Sequence, residues 1–463
     1  MPVKIKFLGG VMTVTGSSHL LTAGSSSVLL DAGLFQGHRD DFYRVNTTFN
    51  YNKHKLNAIV LSHAHIDHSG NIPNVIKKGA RCKVYTTRAT KDLCRLMLED
   101  SGKIHEEDVR YVNKINKRMG LPLRKPLYTK LDARRSMRRF RGISYDQRFC
   151  VARNVYVTLL DAGHILGSSI VTLEIRDAQR VVRLGYAVDL GRNNLPLLND
   201  PVVPKDLDYL ILESTYGARE HDPIDRAKGA LKDAVNRTIA RRGKVLIPSF
   251  TLERTQEVLF FLNELIKEKA IPSLPVYVDS PLATDITDVF KTHVSFLDSS
   301  SREAVKRGES FFDMLTLRFI RDRQRSKALN TDKRPMIIIA GSGMCESGRI
   351  LHHLQNNIED SRNLILVVGY MARNTLGRRI VERLPIVRIF GVEYELNAEV
   401  MEINAFSAHA DRHELFDFAR SCMPLKKIFL VHGDAEQVVT LKERMSELGI
   451  PIHIPGRDEE AEL

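Results

Sequence analysis

The sequence predicts an α/β protein in which apolar strands alternate with helices. Four short apolar segments lie between residues 244 and 379, at residues 245–247, 276–278, 336–340 and 363–368. Each of these segments is followed by a stretch of helical character. Strands that are apolar on both faces and alternate with helices form a parallel sheet covered on both sides. Strand-like residues 82–86 and helix-like residues 88–99 repeat this rhythm in the first half. A chain of 463 residues is long enough for two domains, or for one large domain with an insertion.

The composition favours a nucleic-acid partner over a membrane. Lysine and arginine number 69 against 56 aspartates and glutamates, and the resulting formal charge of +13 favours polyanions. Residues 1–8 alternate like a first strand and lack the apolar core of a signal peptide, and no run of about 18 apolar residues exists. The five cysteines are scattered without a C-x-x-C pair, which is typical of reduced thiols. We therefore expect a cytoplasmic protein with no membrane partner.

The densest polar cluster follows an apolar strand at residues 58–61 and has the pattern H-x-H-x-D-H, formed by His63, His65, Asp67 and His68. Buried imidazoles and carboxylates need polar partners, and a metal ion is their simplest common partner. Alternation along an extended segment puts His63, His65 and Asp67 on one side and His68 elsewhere, which suits two neighbouring metal ions. Nitrogen and oxygen donors favour Zn²⁺, with Mn²⁺ and Fe²⁺ as alternatives. A solvated polar loop is the competing interpretation.

Other candidate site residues stand singly where an apolar segment ends. They are His164 after residues 155–161, Asp189 in 181–192, Glu213 after 209–212, His409 in the segment 404–411, and His432 after 428–431. Each is a residue type that binds metal or transfers protons. A structural hydrogen bond is the alternative role for each.

Together these motifs resemble the metallo-β-lactamase superfamily, whose signature is the same H-x-H-x-D-H loop at the end of a strand. Glu213, His409 and His432 match, in type, order and setting, the three motifs of its nucleic-acid branch, the β-CASP nucleases. The resemblance runs from residue 7 to about residue 455. It is closest to bacterial RNA-processing members related to the eukaryotic pre-mRNA 3′-end cleavage subunit.

Two positions depart from the family pattern. Ala187 and Val188 stand before Asp189 where Ser-Gly is usual, and Met371 stands in the usual Gly-Tyr-Gln-Ala motif. Val188 could crowd the metal loop or shift metal affinity, although the carboxylate is retained.

The resemblance implies an αββα metallo-β-lactamase sandwich with an inserted Rossmann-like, parallel-sheet β-CASP domain. The expected domains are residues 1–207, the inserted residues 208–395, and residues 396–463, which complete the sandwich. RNA is expected to lie in the cleft between the domains.

The resemblance also assigns metal ligands. The first ion would take His63, His65 and His164, the second Asp67, His68 and His432, and Asp189 would bridge the two. Asp31 would orient the metal loop by hydrogen bonding, since such carboxylates fix imidazole tautomers; capping a turn is its alternative role. Two metal ions about 3.5–4 Å apart generate hydroxide near neutral pH and stabilise in-line phosphoryl displacement.

The catalytic residues implied are Asp67, His409 and Glu213. His409 would protonate the leaving oxygen, and Glu213 would orient it and keep it protonated. A buried hydrogen bond without chemistry is the alternative for this pair. Ser407, Arg254 and Arg378 are the candidate substrate-binding residues.

The basic segments 117–148 and 302–334 are either solvated or track phosphates beside the active site. The glycine-rich loops at 341–348 and 369–379 open predicted helices, and they either hold phosphate or form tight packing turns.

The function expected is that of a zinc-dependent ribonuclease acting on single-stranded RNA. Endonucleolytic cleavage is favoured because related 5′-exonucleases carry an extra C-terminal domain. Cleavage from the 5′ end and DNA cleavage stay open, since no reader of the 2′-hydroxyl is visible. The alternatives are a non-catalytic RNA-binding scaffold and a small-molecule metallohydrolase. A homodimer is a further expectation from the resemblance.

Overall fold

A computed structural model describes residues 2–37, 39–177, 180–372 and 374–463. The chain forms two compact units. The first unit comprises Met1–Asn193, Asn199–Glu220 and His409–Leu463, and the second comprises Asn194–Leu198 and His221–Ala408. Most of the second unit thus interrupts the first unit in sequence. The domain boundaries at 207/208 and 395/396 stay a prediction.

The strands are numbered in chain order. They are β1 (Val3–Gly9), β2 (Ser18–Ala23), β3 (Ser26–Leu30), β4 (Ala58–Val60), β5 (Lys83–Thr87), β6 (Phe140–Ile143), β7 (Phe149–Ala152), β8 (Val155–Asp161), β9 (Ser169–Arg176), β10 (Val181–Ala187), β11 (Tyr209–Leu212), β12 (Val245–Pro248), β13 (Val276–Val278), β14 (Leu317–Phe319), β15 (Ile337–Ala340), β16 (Leu364–Val367), β17 (Ile386–Ile389), β18 (Val392–Glu395), β19 (Glu399–Glu402), β20 (Lys427–Leu430), β21 (Ile452–His453) and β22 (Glu460–Glu462).

The α-helices are numbered in the same way. They are α1 (Arg39–Thr47), α2 (Ile66–Ser69), α3 (Ile72–Lys77), α4 (Arg88–Arg118), α5 (Lys130–Ser136), α6 (Ile224–Ala240), α7 (Arg254–Lys267), α8 (Pro281–Thr292), α9 (Ser299–Lys306), α10 (Arg323–Thr331), α11 (Arg349–Asn357), α12 (Leu376–Val381), α13 (Arg412–Ser421) and α14 (Ala435–Met445).

The first unit is built on two seven-stranded sheets. Their strand orders are β22-β1-β2-β3-β4-β5-β6 and β21-β20-β11-β10-β9-β8-β7. Every second residue of β1 and β8 is buried, and these residues meet in one apolar cluster, so the two sheets pack face to face. The helices α13 and α14 cover the second sheet through Leu415 and Leu441, and α4 contacts β5 and β6 of the first sheet.

The second unit contains a six-stranded sheet of order β14-β13-β15-β12-β16-β19. All neighbouring strands are parallel, and β12, β15 and β16 are buried at every position. This burial accounts for the continuous apolar runs in the sequence. Together with the four-layer first unit, it confirms the predicted fold class.

Helix α4 is longer than the sequence predicted, since helical character was expected only over residues 88–99. The helix continues to Arg118. Its buried residues Leu98, His105, Val109 and Val112 recur at helical spacing and form one apolar stripe within a polar segment. The first part of the segment 101–148 is therefore an amphipathic helix with a buried face.

No helix in the four described segments is both long enough and apolar enough to cross a membrane. All five cysteines are free, as the scattered spacing predicted.

Candidate metal centre

The H-x-H-x-D-H segment follows β4, which is buried at all three positions. The extended conformation predicted for this segment is wrong beyond His65, because α2 begins at Ile66. The backbone N–H groups of His68 and Ser69 both donate to the carbonyl of His65. Asp67 and His68 therefore lie on a helical turn, which sends their side chains in different directions.

The structure brings all seven predicted ligands together in two groups that share Asp189. In each group the donor atoms lie within 4.8 Å of one another: His63, His65, His164 and Asp189 form one, and Asp67, His68, Asp189 and His432 form the other. The two carboxylate oxygens of Asp189 face different groups. Its Oδ2 lies 3.1 Å from His63 Nε2, whereas its Oδ1 lies 3.1 Å from His432 Nδ1.

These donors fit divalent metal ions. His68 Nε2 and His432 Nε2 face each other at 3.0 Å, and His65 Nδ1 lies 3.1 Å from His63 Nε2. Asp189 Oδ1 is buried and has no hydrogen-bond partner in the described part of the chain. A cation bound between these nitrogens and this oxygen would interact with all of them at once. Without a cation, a proton on one of two facing nitrogens could bond only to the other, and Asp189 Oδ1 would keep no hydrogen-bond partner among the described residues.

The pKa values of two ligands agree with this fit, whereas the charges of Asp189 and Asp67 outweigh burial and raise the pKa of His68 above its ordinary value. Burial lowers the pKa of His63 to about 4, and burial with the charge of His409 lowers the pKa of His164 well below its usual range. Both imidazoles are therefore neutral, as metal ligands must be. Burial opposes ionisation of Asp189, but the neighbouring histidines, His432 first, hold its pKa well below its ordinary value.

Asp31 lies behind the metal loop and fixes two of its histidines. His68 Nδ1 donates to Asp31 Oδ2 (2.8 Å), which leaves His68 Nε2 to face the ligand group. Ser62 Oγ also donates to this carboxylate (2.8 Å) and lies 3.0 Å from His63 Nδ1. These bonds are those expected of a carboxylate that sets the tautomers of metal-binding imidazoles.

Tyr186 is a site residue that the sequence analysis missed. Its hydroxyl donates to Asp31 Oδ2 (2.9 Å) and lies 3.1 Å from Ser17 Oγ, so the second sheet contacts the carboxylate of the first. Tyr186 precedes Asp189 by three residues and is fully buried. A tyrosine on the apolar face of a strand next to a ligand was the available signal, because a buried hydroxyl needs a partner.

Three residues of the centre share a left-handed backbone. Asp31, Asp189 and His432 have φ angles of 57°, 56° and 51°. This conformation costs a non-glycine residue about 1–2 kcal/mol and clusters at functional sites, where the surroundings maintain it.

Substitution of Tyr186 by phenylalanine is expected to weaken metal binding about 10- to 100-fold at the group that contains His68. The reason is that Asp31 loses one of the bonds that orient it towards His68. Metal titration of the purified apoprotein with a chromophoric competitor measures this. The control is Tyr128→Phe, which removes another buried hydroxyl, bonded to Ser101 at 2.7 Å and outside the network around Asp31. Equal metal affinities for the two variants would contradict the role assigned to Tyr186.

Glu213 and His409 lie together beside the ligand groups. Glu213 is fully buried and accepts hydrogen bonds from the backbone N–H of Leu190 and from His409 Nδ1 (3.2 Å). Donor atoms of Glu213, His409 and Asp189 lie within 4.8 Å of one another, and the ring of His409 lies 4.5 Å from that of His164. Burial alone would lower the pKa of His409, but the carboxylates of Glu213 and then Asp189 raise it to about 9.

The three predicted substrate-binding residues belong to the second unit. Ser407 follows a short turn of 3₁₀ helix at Asn404–Phe406. The guanidinium of Arg254 is buried, pairs with Glu257 and lies 5.7 Å from the ring of Phe406. Arg378 pairs with Glu382 on the surface of α12 (2.7 Å). Their contact with a substrate stays a prediction.

Three family profiles match the chain. They are described as a metallo-beta-lactamase superfamily domain over residues 20–200, a Beta-Casp domain over residues 255–380, and a Zn-dependent metallo-hydrolase RNA specificity domain over residues 393–455.

Two curated proteins are similar along nearly the whole chain. Ribonuclease TTHA0252 of Thermus thermophilus is 33% identical over 447 residues, which cover 96% of this chain and 97% of that protein. Transcription termination factor FttA of Methanocaldococcus jannaschii is 30% identical over 458 residues, or 96% of this chain and 69% of that protein. A crystal structure of a protein of unknown function from Enterococcus faecalis V583 shares the fold, with a TM-score of 0.55 at 14% identity over both entire chains. The chain therefore belongs to the β-CASP branch of the metallo-β-lactamase superfamily.

Proposed function

We propose that this chain is a zinc-dependent ribonuclease that hydrolyses the phosphodiester bonds of single-stranded RNA endonucleolytically by a two-metal mechanism. One observation carries the proposal. The two carboxylate oxygens of Asp189 face two separate groups of nitrogen and oxygen donors, and the pair formed by His409 and Glu213 lies beside both.

The donor groups suit two ions of the same kind. The first offers three imidazoles, and the second offers two imidazoles and the carboxylate of Asp67. Sets without thiolate that combine imidazole with carboxylate suit Zn²⁺, and Mn²⁺ is the alternative. When bound, two such ions supply a nucleophilic water at neutral pH and stabilise the charge of a phosphoryl transition state.

The residues of the chain supply positioning and the proton. Glu213 fixes the Nδ1 side of His409, so that Nε2 is left to give its proton to the leaving oxygen. Protonation is maintained because Glu213 and Asp189 raise the pKa of His409. Bound cations would oppose this effect of Asp189, which leaves Glu213 as the partner that keeps His409 charged.

RNA is the proposed substrate on three grounds. The chain carries a formal charge of +13, which attracts a polyphosphate backbone. One matching family profile is described as an RNA specificity domain, and one relative of nearly equal length is named a ribonuclease. Ser407, Arg254 and Arg378 are the proposed contacts to the substrate. A cytoplasmic location, a homodimer and the inserted domain at residues 208–395 complete the proposal.

The test is cleavage of a 5′-labelled, unstructured RNA by the zinc-loaded protein. It is compared with His409→Ala and Asp67→Ala variants whose metal content is measured by elemental analysis. Internal products from the wild type that both variants fail to form would support the two-metal endonuclease. Products shortened only from the 5′ end would replace the endonuclease with an exonuclease. A fully metallated wild type that leaves RNA intact would overturn the proposal in favour of a scaffold or a small-molecule hydrolase.

A further inference from the structure

One corner of the second sheet carries a basic groove on its outer face. Val155, Val157 and Leu159 of β8 point into the apolar layer between the sheets, so the alternate residues Tyr156 and Thr158 point outwards. The apolar cluster beneath α13 and α14 reaches this corner only at Leu207 and the half-buried Leu160. The polar residues that line the groove, which we call the outer-face groove, are Arg148, Tyr156, Thr158, Thr172, Glu174, Arg183 and Lys205. Its apolar lining consists of Leu160, Leu173, Pro204 and Leu207.

Cross-strand pairing orders the groove into rows. Tyr156 on β8 pairs with Glu174 on β9, which pairs with Arg183 on β10. In the next row Thr158 pairs with Thr172. One row therefore presents an aromatic ring and a guanidinium, and the next presents two hydroxyls. These groups stand on rigid strands, so they are held in position before any ligand binds.

The aromatic ring of Tyr156 is stacked with arginine. The guanidinium of Arg148 lies 3.7 Å from the centre of the ring, and that of Arg176 lies 5.1 Å from it. The same carboxylate oxygen of Glu174 pairs with both guanidinium groups, at 3.0 and 2.7 Å, and holds them near the ring. The side chain of Arg148 remains 43% exposed, which leaves a flat cationic surface open to a planar partner.

The groove has a surplus of positive charge. Its lining contains Arg148, Arg183 and Lys205 but only one acid, Glu174. Arg183 and Lys205 are exposed, and neither makes an ion pair within the described segments. A neighbouring carboxylate, Asp208, accepts a hydrogen bond from the backbone N–H of Arg183 (2.8 Å) and pairs with Lys426 at 2.8 Å. Two cations are thus available to phosphate groups, next to a surface on which a base can stack.

We infer that the outer-face groove is a second binding site for single-stranded RNA, away from the metal centre. Bases would stack on the planar surface formed by Arg148 and Tyr156, and Arg183 and Lys205 would contact two phosphates. Proteins bind single strands by this combination of a cationic groove with stacking side chains. The cationic side chains of Arg183 and Lys205 alone would also suit an acidic protein. Such a partner has no bases to stack on the surface formed by Arg148 and Tyr156.

The groove follows the strand that leads to the metal centre. Leu160 lies four positions after Tyr156 on β8, about 13 Å at the usual rise per residue, and His164 follows four positions later. This inference rests on the proposed function, because it assigns the groove to the RNA that the metal centre would cut.

The test measures binding of fluorescent oligouridylate by anisotropy at several salt concentrations. The zinc-loaded protein carries His409→Ala so that the RNA stays intact. Adding Arg183→Ala and Lys205→Ala is expected to weaken binding of a long oligonucleotide about tenfold. The salt slope, which is the steepness of log K against the logarithm of the salt concentration, should fall by about 1.4, the effect of losing two phosphate contacts. Adding Tyr156→Ala instead is expected to weaken binding without changing the slope, because stacking releases no counterions.

The control is a second double variant, Lys78→Ala with Lys83→Ala, which removes the same charge from exposed positions elsewhere on the first unit. Equal binding by the groove variant and this control would overturn the inference. Unchanged RNA binding by Tyr156→Ala, with tight binding of an acidic polypeptide, would overturn it in favour of a protein partner. Cleavage of RNA by the wild type is measured separately. Intact RNA in that assay would contradict the proposed function, whereas equal salt slopes for the groove double variant and the control double variant would contradict the proposed groove.

Discussion

Replacement of His409 by alanine is expected to lower the rate of RNA cleavage by about 10²–10⁴-fold, the usual contribution of a general acid. His409 is held by Glu213 beside Asp189, so its loss removes the proposed proton donor without removing any of the seven predicted metal ligands. Single-turnover cleavage of a labelled RNA measures the effect, and elemental analysis checks that the bound metal is unchanged.

His413 provides the matched control, because it is four residues away on α13 and pairs with Glu220 at the surface. His413→Ala should cleave RNA at the wild-type rate. If His409→Ala instead lost metal in proportion to activity, His409 would be a ligand and its role as general acid would be wrong.

Replacement of Asp279 by alanine is expected to destabilise the protein by about 3–5 kcal/mol, as removal of one partner from a buried ion pair does. Asp279 is fully buried and accepts hydrogen bonds from Arg349 (2.6 Å), from His353 Nε2 (2.7 Å) and from Ser326. It therefore ties the end of β13 to α10 and α11. Urea unfolding followed by circular dichroism measures the loss.

The comparison for this substitution is Asp285→Ala, which breaks an exposed pair with Arg321 in the same unit. We expect a loss of about 0–1 kcal/mol there. A loss of similar size in both variants would show that the buried network around Asp279 adds nothing to stability.

The same network predicts a dependence on pH. Burial opposes ionisation of Asp279, but hydrogen bonds from His353, Ser326 and Arg349 lower its pKa below the ordinary value of 3.8. A carboxyl group whose pKa is lower in the folded than in the unfolded protein stabilises the folded state at pH values above its pKa in the unfolded protein. This contribution is lost as the pH falls through its pKa in the folded protein. The difference in stability between wild type and Asp279→Ala should therefore narrow below about pH 4.

The sequence predicted the metal loop and the parallel sheet because local patterns encode both. The H-x-H-x-D-H segment concentrates ligand types within six residues, and strands buried on both faces are apolar without interruption. The full length of α4 is not encoded in this way. Its buried face includes Ser101, Gly102 and His105, which are hidden by contacts from elsewhere in the chain.

Those contacts are tertiary. A Cβ on Gly102 would lie 2.8 Å from the backbone of Lys130 on α5, and the ring of His105 packs edge-on against Tyr128 at 4.6 Å. Tyr186 could not be predicted as a site residue for a similar reason, since its partner Asp31 is 155 residues away in sequence and follows a strand of the other sheet. Hydropathy shows which residues can be buried, but it does not show which distant residue they meet.

The order of the chain has a consequence for its biosynthesis. The ligands from His63 to Asp189 are translated first, but His409 and His432 emerge only after the whole second unit, and the last strand, β22, pairs with the first, β1. A nascent chain therefore lacks the proposed proton donor and one proposed ligand until the second unit and β20 have been synthesised. Such a nuclease would stay inactive at the ribosome, where the messenger that encodes it is within reach.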